Sequence, residues 1–137
     1  MAIEPTDDQM KEFAARAPAG PLTMLNLLKF KPQAEYEDGR ETDWTGEQAY
    51  MAYGAGVAKL VAEFGGRFVF GGQMNVQLIG EDPLAWDMLG VVEYPSIEAF
   101  QQMIASPAYA ELAVHRTAGL AHQLLINCLN PGQTPGR

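Results

Sequence analysis

The sequence predicts an α+β fold in which helices cover one face of a four-stranded antiparallel sheet. Two observations carry this prediction. After one short helix, the apolar periodicities follow the order β-α-β-β-α-β, and Pro or Gly residues separate the segments. Two crossover halves joined in that order form the ferredoxin-like unit. We therefore expect a single ferredoxin-like domain in residues 1–137, with a core at about 21–130, an N-terminal helix at 6–17 and a frayed C-terminal tail at 131–137.

Capping residues mark four helix starts, at Thr6, Thr45, Ser96 and Ser106. After each threonine, a glutamine three residues later completes a capping box. Proline follows the last serine at the first helical position, where its missing N–H costs nothing. The helix that follows Thr45 is the longest, and Gly65-Gly66 ends it. Its apolar stripe contains Tyr50, Tyr53, Val57, Leu60, Val61 and Phe64.

Four segments predict strands: residues 21–30, residues 67–70 with a continuation at 74–78, residues 86–94 and residues 121–130. Gly71-Gly72 predicts a bend inside the second segment. The other three segments carry apolar side chains on both faces. That pattern is typical of strands that are buried on both sides of a sheet.

The sheet face that the helices leave uncovered predicts a partner. A large contiguous apolar patch is unusual on a monomer, and two-fold dimers are the commonest oligomers. We therefore expect a homodimer in which the open sheet faces pack together. The alternative is that the N-terminal helix folds over this face. Its apolar stripe of Met10, Phe13 and Ala17 is small for covering four strands.

Composition and charge exclude several classes of partner. Nine basic and seventeen acidic residues give a net charge of −8 without a basic cluster, which argues against binding to nucleic acid or anionic lipid. One cysteine, Cys128, cannot form an internal disulfide. No apolar run approaches the roughly twenty residues that span a bilayer, and the N-terminus shows no signal-peptide pattern. A cytoplasmic protein without membrane contact is therefore expected.

Short motifs then resemble one bacterial family. They are Met24-Leu-Asn-Leu-Leu-Lys-Phe30, the helical Tyr50 and Tyr53, Phe64-Gly-Gly-Arg67, Trp86, Val92-Glu-Tyr-Pro-Ser96, and Ser106-Pro-Ala-Tyr109 with Arg116 seven residues later. From about Leu22 to Leu129 the chain resembles the DUF1330 family, a domain of unknown function. The resemblance implies a dimeric α/β-barrel fold but no reaction. Proteins of that fold include cofactor-free monooxygenases, muconolactone-type isomerases and haem-binding enzymes, and transferring any such activity would be fold analogy alone.

Two residues are candidate proton carriers. One is His115, since imidazole is the commonest general acid or base in enzymes, and the other is Glu93, whose carboxyl would act as a base if it were desolvated. Glu111 lies four residues before His115 on the same helix, but two ligands do not make a metal site and an ion pair explains the spacing. Because no nucleotide, metal or nucleophile motif is present, we expect neither a bound metal nor a tightly held cofactor.

Five residues are candidates for binding a ligand: Asn26, Tyr53, Trp86, Tyr109 and Arg116. Arg116 shares a helical stripe with Tyr109, so its guanidinium either clamps a carboxylate ligand or forms a structural bridge, with Glu93 or a strand carbonyl as partner. Asn26 interrupts an apolar strand face and must bond either the backbone or a ligand. Tyr53 and Trp86 suit either a pocket wall or the core.

Three functions fit these residues. The first is a small-molecule enzyme without a cofactor, with the ligand-binding candidates around a cleft and His115 or Glu93 moving a proton. The second is a dimeric, non-catalytic module that binds a small ligand. The third is a haem-binding protein with His115 as the axial ligand.

Overall fold

The computed structural model describes residues 2–136, and Met1 and Arg137 lie outside the described part. Its elements are α1 (Asp7–Arg16), β1 (Leu22–Phe30), α2 (Gly46–Glu63), β2 (Arg67–Gln73), β3 (Met88–Tyr94), α3 (Ile97–Ile104), α4 (Pro107–Gly119) and β4 (Leu120–Cys128). The strands form one antiparallel sheet in the order β2-β3-β1-β4. This topology confirms the predicted ferredoxin-like fold.

The four predicted helix starts are confirmed. The side-chain oxygens of Thr6 and Thr45 accept from the backbone N–H of Gln9 and Gln48, and both capping boxes are complete. Ser96 and Ser106 cap α3 and α4 in the same way. Each cap satisfies an N–H group that the helix itself leaves free.

The core lies between the helices and one face of the sheet. Its buried side chains are Leu22, Met24, Tyr53, Val57, Leu60, Val61, Val92, Tyr94 and Met103. Met24 pairs with Val92 across β1 and β3, and directly paired residues share a sheet face. The even-numbered residues of β1 therefore face the helices, and the odd-numbered residues face the other way.

The other sheet face is apolar and uncovered. Leu25 and Leu27 of β1 pair with Val91 and Leu89 of β3, and also with Ile126 and Leu124 of β4. Phe70 of β2, opposite Val91, is 60% exposed, and Leu124 and Ile126 also exceed 40%. One apolar face of the strands thus packs against the helices, and the other is left uncovered in the single chain.

Two strand predictions are wrong at their ends. Strand β2 stops at Gln73, and residues 74–78 are irregular, with Leu78 91% exposed. The alternation continues there, but Gln73 already pairs with Met88, the first residue of β3, so no neighbouring strand remains. The third strand consequently begins at Met88 rather than at Trp86.

Both chain ends pack on the helical side. Phe13 of α1 contacts Phe100 of α3 edge-on, with ring centroids 5.8 Å apart. Helix α1 therefore does not cover the open sheet face. The expected frayed tail is wrong for residues 131–136, because Gln133 Nε2 donates to the Pro21 carbonyl at 2.7 Å and the Gly136 N–H donates to that of Arg16 at 2.9 Å. Arg137, the last residue of that tail, lies outside the described residues.

Candidate ligand-binding site

A cavity of about 950 Å³ lies between α2, α4 and the helix-covered face of the sheet. Residues 2–5 and α1 line one side of it. Its walls include Met24, Asn26, Tyr53, Val57, Tyr109 and Arg116. An apolar cleft of this size with a few convergent polar groups is typical of a small-molecule site.

Tyrosines from two helices meet in the cavity. Tyr50 and Tyr53 are neighbours on α2 with ring centroids 5.2 Å apart, because residues three apart share a helix face. Tyr109 lies in the first turn of α4, which Ser106 caps. The hydroxyls of Tyr53 and Tyr109 are 3.0 Å apart and share a hydrogen bond. Two hydroxyls carry two hydrogens, so the pair can still donate one to a bound molecule.

The hydroxyls of Tyr50 and Tyr53 keep their protons at neutral pH. Burial raises the pKa of Tyr50 to about 12. Burial, and next the neighbouring Tyr109, raise the pKa of Tyr53 well above its usual value. Arg116 opposes both shifts by favouring the phenolate, but burial outweighs it. Tyr53 is therefore suited to donate a hydrogen bond and not to act as a base.

Arg116 is held by a chain of polar side chains. Its side chain is 13% exposed, and its guanidinium donates to Glu4 Oε1 at 2.9 Å, to Gln123 Oε1 at 2.9 Å and to the carbonyl of Ile3. Gln123 Nε2 in turn donates to Asn26 Oδ1 at 2.9 Å, and Asn26 Nδ2 donates to the Gly90 carbonyl at 3.3 Å. These bonds fix the guanidinium at the cavity wall.

The suggested bridge between Arg116 and Glu93 is wrong. Glu93 accepts instead from Arg67 Nε at 3.2 Å. It follows Leu89 and Val91 at alternate positions of β3, so its side chain belongs to the open face and not to the cavity. The acceptors of Arg116 come from the N-terminal segment and from β4.

His115 also lies apart from the cavity lining. Its Nδ1 is 2.7 Å from the Tyr36 hydroxyl, and its ring contacts the rings of Tyr36 and Trp44, with the latter centroid at 6.2 Å. These partners belong to the loop between β1 and α2. The imidazole is therefore engaged on the outer side of α4, which gives no support to a haem pocket built around His115.

Trp86 precedes β3 and does not line the cavity. Its ring lies edge-on to that of His122, with centroids 5.5 Å apart. Asn26, Tyr53, Tyr109 and Arg116 do line it. The structure thus brings together four of the five ligand-binding candidates and neither proton-carrier candidate.

Three functional residues were missed from the sequence. The sequence predicts Tyr50 as a residue of the helix stripe, although its spacing from Tyr53 also places both rings together. Gln123 is a polar residue in an apolar strand, the same signal that identified Asn26. Glu4 gives no local signal, because it lies 112 positions from Arg116 in the chain.

Within residues 2–136, no group of three or more His, Cys, Asp or Glu side chains is placed to hold a metal ion. The helices of this part are also too short or too polar to span a bilayer.

Solved structures support the fold. A protein of unknown function from Rhodopseudomonas palustris, RPA0582, shares 38% identity and superimposes with a TM-score of 0.81, covering 94% of this chain and 98% of that one. Its methylated form gives 40% identity, the same TM-score and coverages of 96% and 97%. A hydroxynitrile lyase from Passiflora edulis, at 11% identity and a TM-score of 0.58 over 82% and 96% of the two chains, shows the fold alone.

No curated protein matches the chain significantly. The profile of one family, described as a domain of unknown function (DUF1330), matches residues 40–127. That range runs from the loop before α2 nearly to the end of β4. The chain therefore belongs to the DUF1330 family.

Proposed function

We propose that the cavity binds a small organic molecule with a largely apolar body and one polar end. One observation carries this proposal: Asn26, Tyr53, Tyr109 and Arg116, from three different elements, converge on the same cavity of about 950 Å³. Burying a guanidinium and several hydroxyls beside an open space costs free energy that core packing alone does not require. A polar ligand that forms hydrogen bonds with this guanidinium and these hydroxyls would offset that cost.

Acid catalysis without a cofactor is the second candidate. It is favoured by the hydrogen-bonded pair of Tyr53 and Tyr109. A protonated hydroxyl in an apolar site can stabilise negative charge that develops on a substrate oxygen. Loss of turnover of a bound compound in Tyr53→Phe, with its affinity retained, would support this role. We do not assign proton transfer in the cavity to His115 or Glu93, since Tyr36 and Arg67 engage them elsewhere.

The binding proposal can be tested at Gly54, which lines the cavity. A Cβ atom at this position meets nothing within 4 Å, so Gly54→Phe is expected to fill the cavity and Gly54→Ala to leave it open. Titration with the neutral dye N-phenyl-1-naphthylamine should show binding to the wild type and to Gly54→Ala. The affinity of Gly54→Phe should fall at least about tenfold. Equal binding to both variants would place the dye on another surface and contradict the proposal.

We also propose that the protein is a homodimer joined through its open sheet face. The open face joins half-buried residues of β1 and β3 to exposed residues of β2 and β4 in one apolar surface: Leu25, Leu27, Leu89 and Val91 with Phe70, Leu124 and Ile126. The segment between β2 and β3 also exposes Val76 by 78% and Ile79 by 89%. In a two-fold dimer the same patch of each copy packs against the other, so a second copy would shield the open face of both.

A further inference from the structure

We infer that the ligand is an organic monocarboxylate, whose carboxylate takes the place of Glu4 on Arg116. This inference rests on the proposed binding function and names the chemical class of the ligand. Without a ligand, Glu4 of the N-terminal segment supplies the carboxylate that Arg116 binds. Glu4 thus acts as a tethered competitor at the polar end of the cavity.

The environment of Arg116 calls for an anion. Its side chain is 13% exposed and cannot lose its charge. Gln123 and the Ile3 carbonyl supply neutral acceptors, but Glu4 supplies the negative charge. A guanidinium forms its strongest hydrogen bonds with a carboxylate, and its fork can hold both oxygens.

The charge around the site favours one negative charge over two. Among residues 2–136, Arg16 is the other arginine along the cavity wall, and it lies 3.8 Å from Glu12. Because the carboxylate of Glu12 offsets the charge of Arg16, a phosphate dianion would bring two negative charges to the one net positive charge of Arg116, with Glu4 close by, in a protein with a net charge of −8. A monocarboxylate matches Arg116 charge for charge, as Glu4 itself does.

The contact between Glu4 and Arg116 is weak enough for a ligand carboxylate to displace Glu4. Its side chain is 65% exposed, and ion pairs in contact with water contribute little stability. Residues 2–5 precede α1 without regular structure. Besides the Arg116 contacts, the Gln123 N–H donates to the Ala2 carbonyl at 3.1 Å. So few contacts make this segment one of the easiest parts of the chain to release.

Beyond Arg116, the cavity suits an apolar body. Met24, Val57 and Val92 line it, and the tyrosine pair offers a further donor. A chain or ring attached to the carboxylate would lie among these side chains and leave water, which adds to affinity in proportion to the apolar area buried.

Octanoate and its neutral analogue octanamide test this inference by displacing the neutral dye from the wild type, Glu4→Gln and Glu12→Gln. We expect the wild type to prefer octanoate by at least about fivefold. Glu4→Gln should bind octanoate about threefold more tightly, with octanamide unchanged, because the internal competitor is gone. Glu12 is the matched control. It also lines the cavity and is 68% exposed, but it pairs with Arg16 and not with Arg116.

Arg116→Gln should reduce octanoate affinity about tenfold and that of octanamide by less than twofold. If Arg116→Gln fails to fold, Glu4→Gln still tests the inference, because Glu4 is exposed and its substitution should not disturb folding. Equal binding of octanoate and octanamide to the wild type and to Glu4→Gln would overturn the carboxylate inference. If Gly54→Phe still blocked the dye, the binding proposal would stand without it. If Gly54→Phe did not block the dye, both would fall.

Discussion

At the scale of single residues, two glycines hold the helices against the end of β1. The Lys31 N–H donates to the Gly119 carbonyl at 2.8 Å, and the Gly46 N–H donates to the Lys31 carbonyl at 3.1 Å. A Cβ atom at Gly46 would lie 2.1 Å from the Lys31 oxygen and 2.7 Å from that of Gly119. Both neighbours are backbone atoms, so neither can move without shifting α2 or α4.

Gly46→Ala should therefore lower the free energy of unfolding by about 2–3 kcal/mol, as overpacking against rigid atoms does. Gly54→Ala is the control in the same helix. Because a Cβ there meets no atom, it should leave stability unchanged or raise it by up to about 1 kcal/mol. Urea denaturation of both variants measures the difference, and equal stabilities would contradict the packing described at Gly46.

The buried tyrosines predict loss of stability in alkali. Below pH 10, the usual tyrosine pKa, the folded and unfolded states both hold the Tyr50 proton. Between pH 10 and about 12 the unfolded state loses this proton while the folded state keeps it, because burial raises the pKa of Tyr50 to about 12. The free energy of unfolding therefore falls as the pH rises, by up to about 1.4 kcal/mol per pH unit for this tyrosine.

Urea denaturation of Tyr50→Phe at pH 8 and 10.5 tests this linkage. The wild type should lose more stability between the two pH values than the variant does. An identical loss in both proteins would show that Tyr50 titrates alike in the folded and unfolded states.

Individual site residues were predictable where a local pattern carried them. Helical spacing grouped Tyr109 with Arg116, and the polar Asn26 stood out in an apolar strand; all three line the cavity. The partner of Arg116 was not predictable. Any acidic residue can satisfy a guanidinium, and only the folded chain brings Glu4 next to it.

At the scale of elements, the cap of α4 bonds the backbone of two residues that line the cavity, Tyr109 and Met103. Ser106 Oγ accepts from the Tyr109 N–H at 3.2 Å and donates to the Met103 carbonyl at 2.6 Å. Ser106→Ala should lower the free energy of unfolding by about 1 kcal/mol. It should also weaken dye binding, because the first turn of α4 carries Tyr109.

Ser106→Thr is the matched variant, since a threonine hydroxyl still accepts from the Tyr109 N–H and donates to the Met103 carbonyl. It should retain most of the stability that Ser106→Ala loses in urea denaturation. If both variants were as stable as the wild type, the cap would have no part in holding α4.

Helix starts were predictable because their signals are local: a capping side chain bonds an N–H group three residues away. The end of β2 was not. Residues 74–78 alternate as a strand does, but a strand needs a neighbour to pair with. Gln73 already pairs with Met88, the first residue of β3, so β3 offers no further partner. Sheet register depends on both strands, and one segment does not contain it.

At the scale of the whole molecule, the sheet separates two apolar surfaces: the helix-covered face lines the cavity, and the open face is proposed to join two copies. Phe70→Glu should raise the dimer dissociation constant about 100-fold, because the charge would be buried without a partner. Val114→Glu is the control, since Val114 is an exposed apolar residue of α4, 40% accessible. Sedimentation velocity should show twice the 14.9 kDa chain mass for the wild type and this control.

A wild-type protein that sediments as a single chain at micromolar concentration would contradict the dimer. Equal dissociation by both glutamate variants would instead place the interface elsewhere than the open face.

A crystal structure of the wild-type protein with N-phenyl-1-naphthylamine bound would show directly whether the cavity is the binding site. We expect the dye between α2, α4 and the sheet, in contact with Tyr53 and Val57, while two copies share their open faces. The claim that this cavity is the binding site would be contradicted if the dye were found only on the open sheet face and the protein's side chains filled the space beside Arg116.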